Sequence, residues 1–380
     1  MNYIPRVYDN IEKLLKDNKV IVLYGPRRVG KTTLIQKFLE NTKLKYGFYT
    51  GDELSVREAL AAESIDRIKN FVGNLELIVI DEAQKIPNIG QGLKMMVDYV
   101  PGIKVLITGS ASLNLSYKVG EPLLGRKFDY ILFPISQLEL AEERTVFELE
   151  RSKEKFLVYG SYPEVINAET DAEKGQVLSE IINSYLFKDI LELERVKGAN
   201  VLMNLLRMIA FQVGSEVSLT ELGNSLDLNA RTVAKYLNLF EQCFILYRLG
   251  GYSRNLRKEI TKKSKYYFFD NGIRNAVIEN FNSLEKRNDV GQLWENFLVS
   301  ERLKKQEYSH VGSRFNNYFW RTWEGKEVDW VEMRDGKLFG YEFKWKKDKS
   351  TKSQKSWLET YGEAEFELIN QENYLEFIGR

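Results

Sequence analysis

The fold of this chain is constrained most by nine residues, Gly25-Pro-Arg-Arg-Val-Gly-Lys-Thr-Thr33. They fit the pattern G-x-x-x-x-G-K-[ST], which binds phosphate when a buried strand precedes it and a helix follows it. The apolar run 20–24 predicts that strand, and residues 34–39 have helical spacing. The sequence therefore predicts a strand, a glycine-rich loop and a helix whose N-terminus faces a phosphate group.

We expect every residue of this loop to contact a bound nucleotide. Lys31 would reach the β- and γ-phosphates and so take part in catalysis, and the Thr32 hydroxyl would bind Mg²⁺. The expected nucleotide-binding residues are Gly25, Pro26, Arg27, Arg28, Val29, Gly30, Lys31, Thr32 and Thr33.

A second chemical signature follows the apolar run 77–80, which predicts a central strand. Asp81 and Glu82 come directly after it, at the carboxyl end of the strand, where open α/β sheets bind ligands. Asp81 is expected to hold Mg²⁺ with Thr32, and Glu82 to polarise the attacking water. A strand that simply ends in solvated acids is the alternative, and the phosphate-binding loop argues against it.

A third strand, 104–110, ends in hydroxyl side chains. Ser110 or Thr108 is placed to donate a hydrogen bond to the γ-phosphate or to the lytic water, and the alternative is a strand end capped by small polar residues. Arg126 lies between a helical segment and the next strand, 130–133, at the edge of the sheet, where an ordinary surface arginine is one interpretation.

Composition narrows the classes of protein and site. The chain has 380 residues, which suggests two or three domains, and no apolar run approaches the roughly 20 residues of a membrane helix. Without a signal-peptide pattern we expect a cytoplasmic protein with no membrane partner. A net charge of +1 means that any nucleic-acid surface must be local. The chain has one cysteine, Cys243, which excludes an internal disulfide and is expected to be a buried apolar side chain. It also has one histidine, His310, and one Cys with one His cannot form a usual zinc site. A metal bound here should therefore have oxygen ligands, as Mg²⁺ does.

The middle of the chain changes character. Residues 139–210 have mostly helical spacing, and 218–226 and 229–240 have the spacing of a helix-turn-helix with Asn229 as the N-cap. A strand pair, 244–249 and 266–269, encloses a basic loop, which is typical of a winged helix. The loop and helix either contact DNA phosphates or serve packing and partner contact. The candidate DNA-binding residues are Arg231, Lys235, Arg254, Arg257, Lys262, Lys263 and Lys265.

The C-terminal region carries a set of acids on predicted strands. Asp329 lies in one strand, Glu342 and Lys344 in the next, and Glu295 lies on a long helix before them. Side chains at i and i+2 share a face of a strand, so Asp329, Glu342 and Lys344 could meet in one cluster, where two carboxylates can hold Mg²⁺ and the lysine can orient a water molecule. A structural salt-bridge cluster is the alternative.

Several of these segments together resemble AAA+ ATPases. Residues 25–33, 77–84, 107–112 and 125–126 followed by 133–136 are similar to Walker A, Walker B, sensor 1 and the arginine-finger position. More narrowly, the chain resembles archaeal and bacterial ATPases whose C-terminal domain of unknown function is related to PD-(D/E)XK nucleases, since Asp329, Glu342 and Lys344 follow the pattern D-x₁₂-E-x-K. The resemblance implies that Arg126 acts on the nucleotide of a neighbouring subunit in a homo-oligomer.

The expected fold class is α/β. The expected domains are an AAA+ P-loop NTPase core at 1–138, a helical lid at 139–212, a winged helix at 213–270 and a restriction-endonuclease-like α/β domain at 271–380. ATP and Mg²⁺ are the expected cofactors, and DNA is a possible partner.

Three functions compete: an ATP-driven DNA-processing enzyme with nuclease activity, a DNA-bound or signalling ATP switch with a silent nuclease-like domain, and a small-molecule P-loop kinase. The Asp-Glu pair and the hydroxyl-ended strand argue against the kinase.

Overall fold

The computed structural model describes residues 2–61, 64–110, 122–184, 198–253, 263–309, 316–346 and 352–379. The chain divides into two compact units. The N-terminal unit comprises residues 3–134 and 242–244, and the C-terminal unit comprises residues 1–2, 135–241 and 245–380.

The N-terminal unit contains a five-stranded sheet in the order β2-β3-β4-β1-β5, with every neighbouring pair parallel. Because β4 lies between β1 and β3, the carboxyl ends of all three meet at one edge of the sheet. This unit comprises the strands β1 (Lys19–Tyr24), β2 (Tyr46–Thr50), β3 (Leu77–Asp81), β4 (Lys104–Gly109) and β5 (Lys127–Ile131), and the helices α1 (Lys31–Asn41), α2 (Leu54–Ala61), α3 (Ile65–Val72) and α4 (Ile89–Tyr99).

The composition of the central strands explains their position. Every residue of β3 is buried, and β1 is buried from Val20 to Tyr24. A strand that is apolar on both faces is stable only when helices cover both sides of a parallel sheet. The strands expected at 20–24, 77–80 and 104–110 are confirmed to within one residue at each end, whereas the strand expected at 130–133 lies at Lys127–Ile131.

The C-terminal unit joins its strands into one seven-stranded sheet in the order β12-β11-β10-β9-β7-β8-β6. Its strands are β6 (Glu216–Val217), β7 (Leu246–Gly251), β8 (Ser264–Phe268), β9 (Asn316–Arg321), β10 (Glu327–Arg334), β11 (Lys337–Phe343) and β12 (Glu365–Ile369). Its helices are α5 (Gln137–Leu140), α6 (Val146–Tyr159), α7 (Pro163–Asn167), α8 (Asp171–Ser184), α9 (Ala199–Phe211), α10 (Leu219–Leu226), α11 (Ala230–Gln242), α12 (Asn271–Val277), α13 (Val290–Ser309), α14 (Lys352–Thr360) and α15 (Tyr374–Ile378).

A short parallel pairing links the two halves of this sheet. Gly250 and Gly251 of β7 pair with Tyr318 and Phe319 of β9, and the Tyr252 N–H donates to the Phe319 carbonyl at 2.6 Å. The strands on either side of the expected boundary at residue 270 therefore belong to one continuous sheet. The sequence contains no local signal for such a pairing, because the strands are far apart along the chain.

The two helices expected at 218–226 and 229–240 are confirmed by α10 and α11. Asn229 caps α11 as expected, since its Oδ1 accepts a hydrogen bond from the Thr232 N–H at 2.8 Å. Arg231 and Lys235 lie on the exposed face of α11, whereas Val233 and Leu237 are buried on the other.

Two further expectations concern the single cysteine and membrane-spanning helices. Cys243 is buried, which confirms that it is an apolar side chain of the core. Among the helices in the described ranges, none combines the length and apolar character needed to cross a membrane.

Candidate functional site

The loop between β1 and α1 needs glycine at two positions. A Cβ atom on Gly25 would lie 2.1 Å from the Leu132 carbonyl oxygen, far inside van der Waals contact. Gly30 is the left-handed N-cap of α1, with φ of 93°. The first turn of α1 leaves N–H groups without helical partners, and these groups suit an anionic phosphate.

Lys31 folds back over this loop. Its Nζ donates hydrogen bonds to the carbonyl oxygens of Gly25 and Pro26, both at 2.8 Å, and the side chain is buried. An ammonium held at this point lies beside any phosphate that the loop binds. Val29 is buried within the loop, and Arg28 is left-handed. Arg27 is half-buried, and Thr33 is exposed in the first turn of α1.

Asp81 joins the loop helix to the neighbouring strands. The Thr32 hydroxyl donates to Asp81 Oδ2 at 2.8 Å, and the Thr108 hydroxyl donates to Asp81 Oδ1. The parallel strand order brings these residues together, because Asp81 ends β3 and Thr108 lies near the end of β4. Hydroxyl and carboxylate oxygens are the ligands that Mg²⁺ prefers, so Thr32 and Asp81 fit the expected metal.

Glu82 follows Asp81 in an unusual backbone conformation. Its φ is 53°, in the left-handed region that few residues other than glycine adopt. Its N–H donates to the Thr108 hydroxyl at 3.2 Å, and its Oε2 accepts from Gln84 Nε2 at 2.7 Å. Gln84 also donates to the Ser110 hydroxyl at 3.3 Å. Glu82 and Ser110, expected in catalytic roles, are thus joined by Gln84, to which sequence reasoning assigned no role.

Arg6 is a second residue that sequence reasoning missed. Its buried guanidinium donates to the Val29 carbonyl at 2.7 Å and to the Phe133 carbonyl at 2.6 Å. It therefore fixes the phosphate-binding loop to the segment that follows β5. The only sequence signal is an arginine beside a proline near the first residue, which does not indicate burial.

Arg126 lies at the opposite end of the sheet from this loop. The Val20 N–H donates to the Arg126 carbonyl, which places Arg126 level with the start of β1. Five strand residues separate that level from the loop, about 16 Å at 3.3 Å per residue. The Nε atom of Arg126 donates a hydrogen bond to Asp98 Oδ1 at 2.7 Å, and this bond raises the pKa of Arg126. Arg126 thus does not reach the loop of its own chain.

The C-terminal unit contains a second group of charges, which we call the acidic cluster: Glu295, Glu327 and Asp329, with Lys265 and Tyr267. Lys265 Nζ pairs with Glu327 and lies 3.6 Å from Glu295 Oε1. The Tyr267 hydroxyl donates to Glu295 Oε1 at 2.7 Å. Asp329 Oδ2 accepts the Phe343 N–H at 2.8 Å.

The pKa values in the acidic cluster follow from burial and mutual charge. Burial and the charge of Glu295 raise the pKa of Asp329 to about 8. Burial also raises the pKa of Glu295, although Lys265 opposes the change. Burial alone would lower the pKa of Lys265, but the charges of Glu295, Asp329 and Glu327 outweigh it and raise the value.

The other two expected nuclease residues do not join the acidic cluster. Tyr341 and Phe343 of β11 contact Phe377 of α15. A Cβ atom on Gly340 would instead meet Trp357 of α14, on the opposite face of the sheet. Alternation along the strand places Glu342 on the α14 face, where Lys344 Nζ pairs with it at 3.0 Å. Glu295 and Asp329 are thus brought together, whereas Glu342 and Lys344 form a separate pair.

The candidate DNA-binding residues fall into three groups. Arg231, Lys235 and Lys263 are exposed. The expected surface position of Lys265 is wrong, because only 1% of this residue is exposed and its ammonium makes ion pairs inside the protein. Arg254, Arg257, Lys262 and also His310 lie outside the described residues.

Three family models match consecutive parts of the chain. Residues 17–141 match the model of an AAA domain. By this match the segment is similar to AAA-type ATPase domains. Residues 150–284 and 290–375 match two domains of unknown function, DUF8612 and DUF4143.

Individual relatives extend this comparison. An uncharacterized protein of Mycobacterium tuberculosis is 26% identical over 338 residues, which cover 88% of this chain and 72% of that protein. An uncharacterized ATP-binding protein of Methanocaldococcus jannaschii is 60% identical over 37 residues, 9% of this chain and 63% of the relative. Among solved structures, a Walker-type ATPase of Pyrococcus abyssi is similar with a TM-score of 0.46 and 15% identity, over 72% of this chain and 94% of that one.

Proposed function

We propose that the chain is a Mg²⁺-dependent ATPase that uses ATP binding and hydrolysis as a conformational switch on DNA. The observation that carries the proposal is the hydrogen-bonded network at the carboxyl edge of the N-terminal sheet. Thr32, Asp81 and Thr108 are joined there, and Glu82 lies beside them.

Each residue of this edge has a role in hydrolysis that its position supports. The loop N–H groups and Lys31 bind the phosphates, and Thr32 with Asp81 would hold Mg²⁺, which neutralises phosphate charge when bound. Glu82 orients the attacking water and accepts its proton. Gln84 and Ser110 position the Glu82 carboxylate through the bonds described above.

The test of hydrolysis is Glu82→Gln, which keeps the size of the side chain and removes its basicity. We expect ATP affinity within about twofold of wild type and a fall in turnover of at least about 100-fold, as is usual for loss of a general base. A matched control is Glu359→Gln, an exposed glutamate on α14 of the C-terminal unit. Turnover at the wild-type rate in Glu82→Gln would refute the assignment.

Arg126 is proposed to act in trans, because its distance from its own loop leaves a neighbouring subunit as the site it can reach. Arg126→Ala and Lys31→Ala are each expected to be inactive alone. Mixing them would restore part of the activity if one subunit supplies the arginine to another, since some sites then contain both wild-type residues. Failure of every mixture to recover activity, with oligomers present by light scattering, would contradict the trans role.

DNA is the proposed partner because Arg231 and Lys235 lie together on the exposed face of the second helix of a helix-turn-helix. We expect Arg231→Glu with Lys235→Glu to weaken DNA binding and to reduce its salt slope by about 0.9 for each phosphate that the variant no longer neutralises. Lys352→Glu with Lys355→Glu on α14 is a control with the same change in net charge. Equal DNA affinity in the two double variants would favour a switch that acts on a protein partner.

A further inference from the structure

Lys265 has an unusual position for a lysine. It lies on β8, yet its Nζ pairs with Glu327 at the start of β10, three positions away in the sheet. The ammonium is also 3.6 Å from Glu295 Oε1 and 5.3 Å from the centre of the Phe319 ring. With 1% of the residue exposed, this charge is balanced by protein groups rather than by water.

The resemblance to nucleases implies a divalent metal held by acids, and the residues present do not fit one. In the described part of the chain, no three or more Asp, Glu, His or Cys side chains are arranged to hold a metal ion. The ammonium of Lys265 already contacts Glu295, one of the expected metal ligands, and the neighbouring Glu327. Glu342, which the nuclease pattern requires, lies on the other face of β11. A divalent ion on these carboxylates would lie within a few ångströms of the Lys265 charge and be strongly repelled.

We propose that Lys265 is the resident cation of the acidic cluster, and that it excludes a divalent metal from Glu295, Glu327 and Asp329. The lysine takes over the structural role of a metal by neutralising acids contributed by α13 and β10. It also links β8, the second strand of the helix-turn-helix region, to the C-terminal half of the sheet. This region is accordingly a binding or structural element without metal-dependent nuclease activity.

The charge balance of the cluster agrees with this proposal. Lys265 Nζ contacts two carboxylates of the cluster, those of Glu327 and Glu295. Glu295 and Glu327 then face one ammonium and one hydroxyl donor, Tyr267. The proposal is independent of ATP hydrolysis, because its residues all lie in the C-terminal unit.

The test counts Mn²⁺ ions bound to the nucleotide-free full chain, from the loss of the free-ion signal in electron paramagnetic resonance. Wild type and Glu327→Gln are expected to bind the same number, since Lys265 already occupies the cluster. Lys265→Ala is expected to gain one Mn²⁺ per chain, and this gain should disappear in Lys265→Ala with Glu327→Gln. Lys265→Arg keeps the charge and should bind as wild type does.

Two results would overturn the proposal. One is a Mn²⁺ ion on wild type that Glu327→Gln loses, and this comparison holds even if Lys265→Ala does not fold. The other is a folded Lys265→Ala that gains no Mn²⁺.

Nucleic-acid cleavage provides a second readout. Wild type is expected to leave plasmid and oligonucleotide DNA intact with Mg²⁺ or Mn²⁺, with or without ATP. Cleavage by wild type that is lost in Asp329→Ala would show a working metal site and contradict the proposal, whatever the ATPase activity of the two proteins.

Discussion

Replacing Thr108 with valine removes one hydroxyl and leaves the shape of the side chain almost unchanged. The hydroxyl donates to Asp81 Oδ1 and accepts the Glu82 N–H at 3.2 Å, and Thr108 is fully buried. Thr108→Val therefore leaves a carboxylate oxygen and an N–H group each with one partner fewer. It tests whether the end of β4 positions Asp81 and Glu82.

The expected magnitude follows from the two bonds. A hydrogen bond to a charged group contributes about 1.5–3 kcal/mol, and a buried group left without a partner costs about 1–3 kcal/mol. The free energy of unfolding should fall by about 2 kcal/mol, since Asp81 keeps its bond with Thr32. A similar loss in the transition state would lower kcat by about 10- to 100-fold, at about 1.4 kcal/mol for each factor of ten.

The assay is steady-state ATP hydrolysis together with thermal and chemical unfolding. Thr360→Val is a matched control, because its hydroxyl makes one local bond to the Ser356 carbonyl on an exposed helix. We expect the control to keep its kcat. A kcat of Thr108→Val within twofold of wild type, in a folded protein, would refute the role of Thr108 in positioning Asp81 and Glu82.

Three further predictions concern other buried groups. Arg6→Met should weaken ATP binding about tenfold or more and lower Tm, because the loop loses its bond from Arg6 to Val29; unchanged affinity by calorimetry would count against this role. Asp329 binds its proton more tightly in the folded chain than at its ordinary pKa of 3.8, so stability should fall as pH rises from about 4 to 8. Asp329→Asn should flatten that dependence in urea unfolding, and an unchanged pH profile would contradict the assignment. Arg302→Ala should cost about 3–5 kcal/mol in unfolding free energy, since it leaves buried Glu332 without its bidentate partner at 2.6 and 2.8 Å. Restoring most of that loss with Glu332→Gln in the same chain is the expected double-variant result.

Sequence reasoning could propose the N-terminal candidate site because its residues lie within short segments of the chain. Gly25, Gly30, Lys31 and Thr32 lie within one short loop, and Asp81 and Glu82 follow one apolar strand. The conformation of the glycine loop and the position where the apolar strand ends are both set by residues that are adjacent in the sequence. Arg6 was missed because its hydrogen-bond partners, Val29 and Phe133, are distant from it along the chain. Gln84 was missed because its contact with Ser110 depends on how the strands pair.

The sequence by itself determined the phosphate-binding loop, the acidic end of β3, and the exposed and buried faces of α11, since each depends on spacing along one element. Only the tertiary structure decided that β4 lies between β1 and β3, which brings Thr108 to Asp81. It also decided that Lys265 is buried among acids from α13 and β10, while Glu342 and Lys344 lie on the opposite face. Pairing between distant strands and the bulge between Val328 and Val331 set those positions, and neither is encoded in the spacing of the residues concerned.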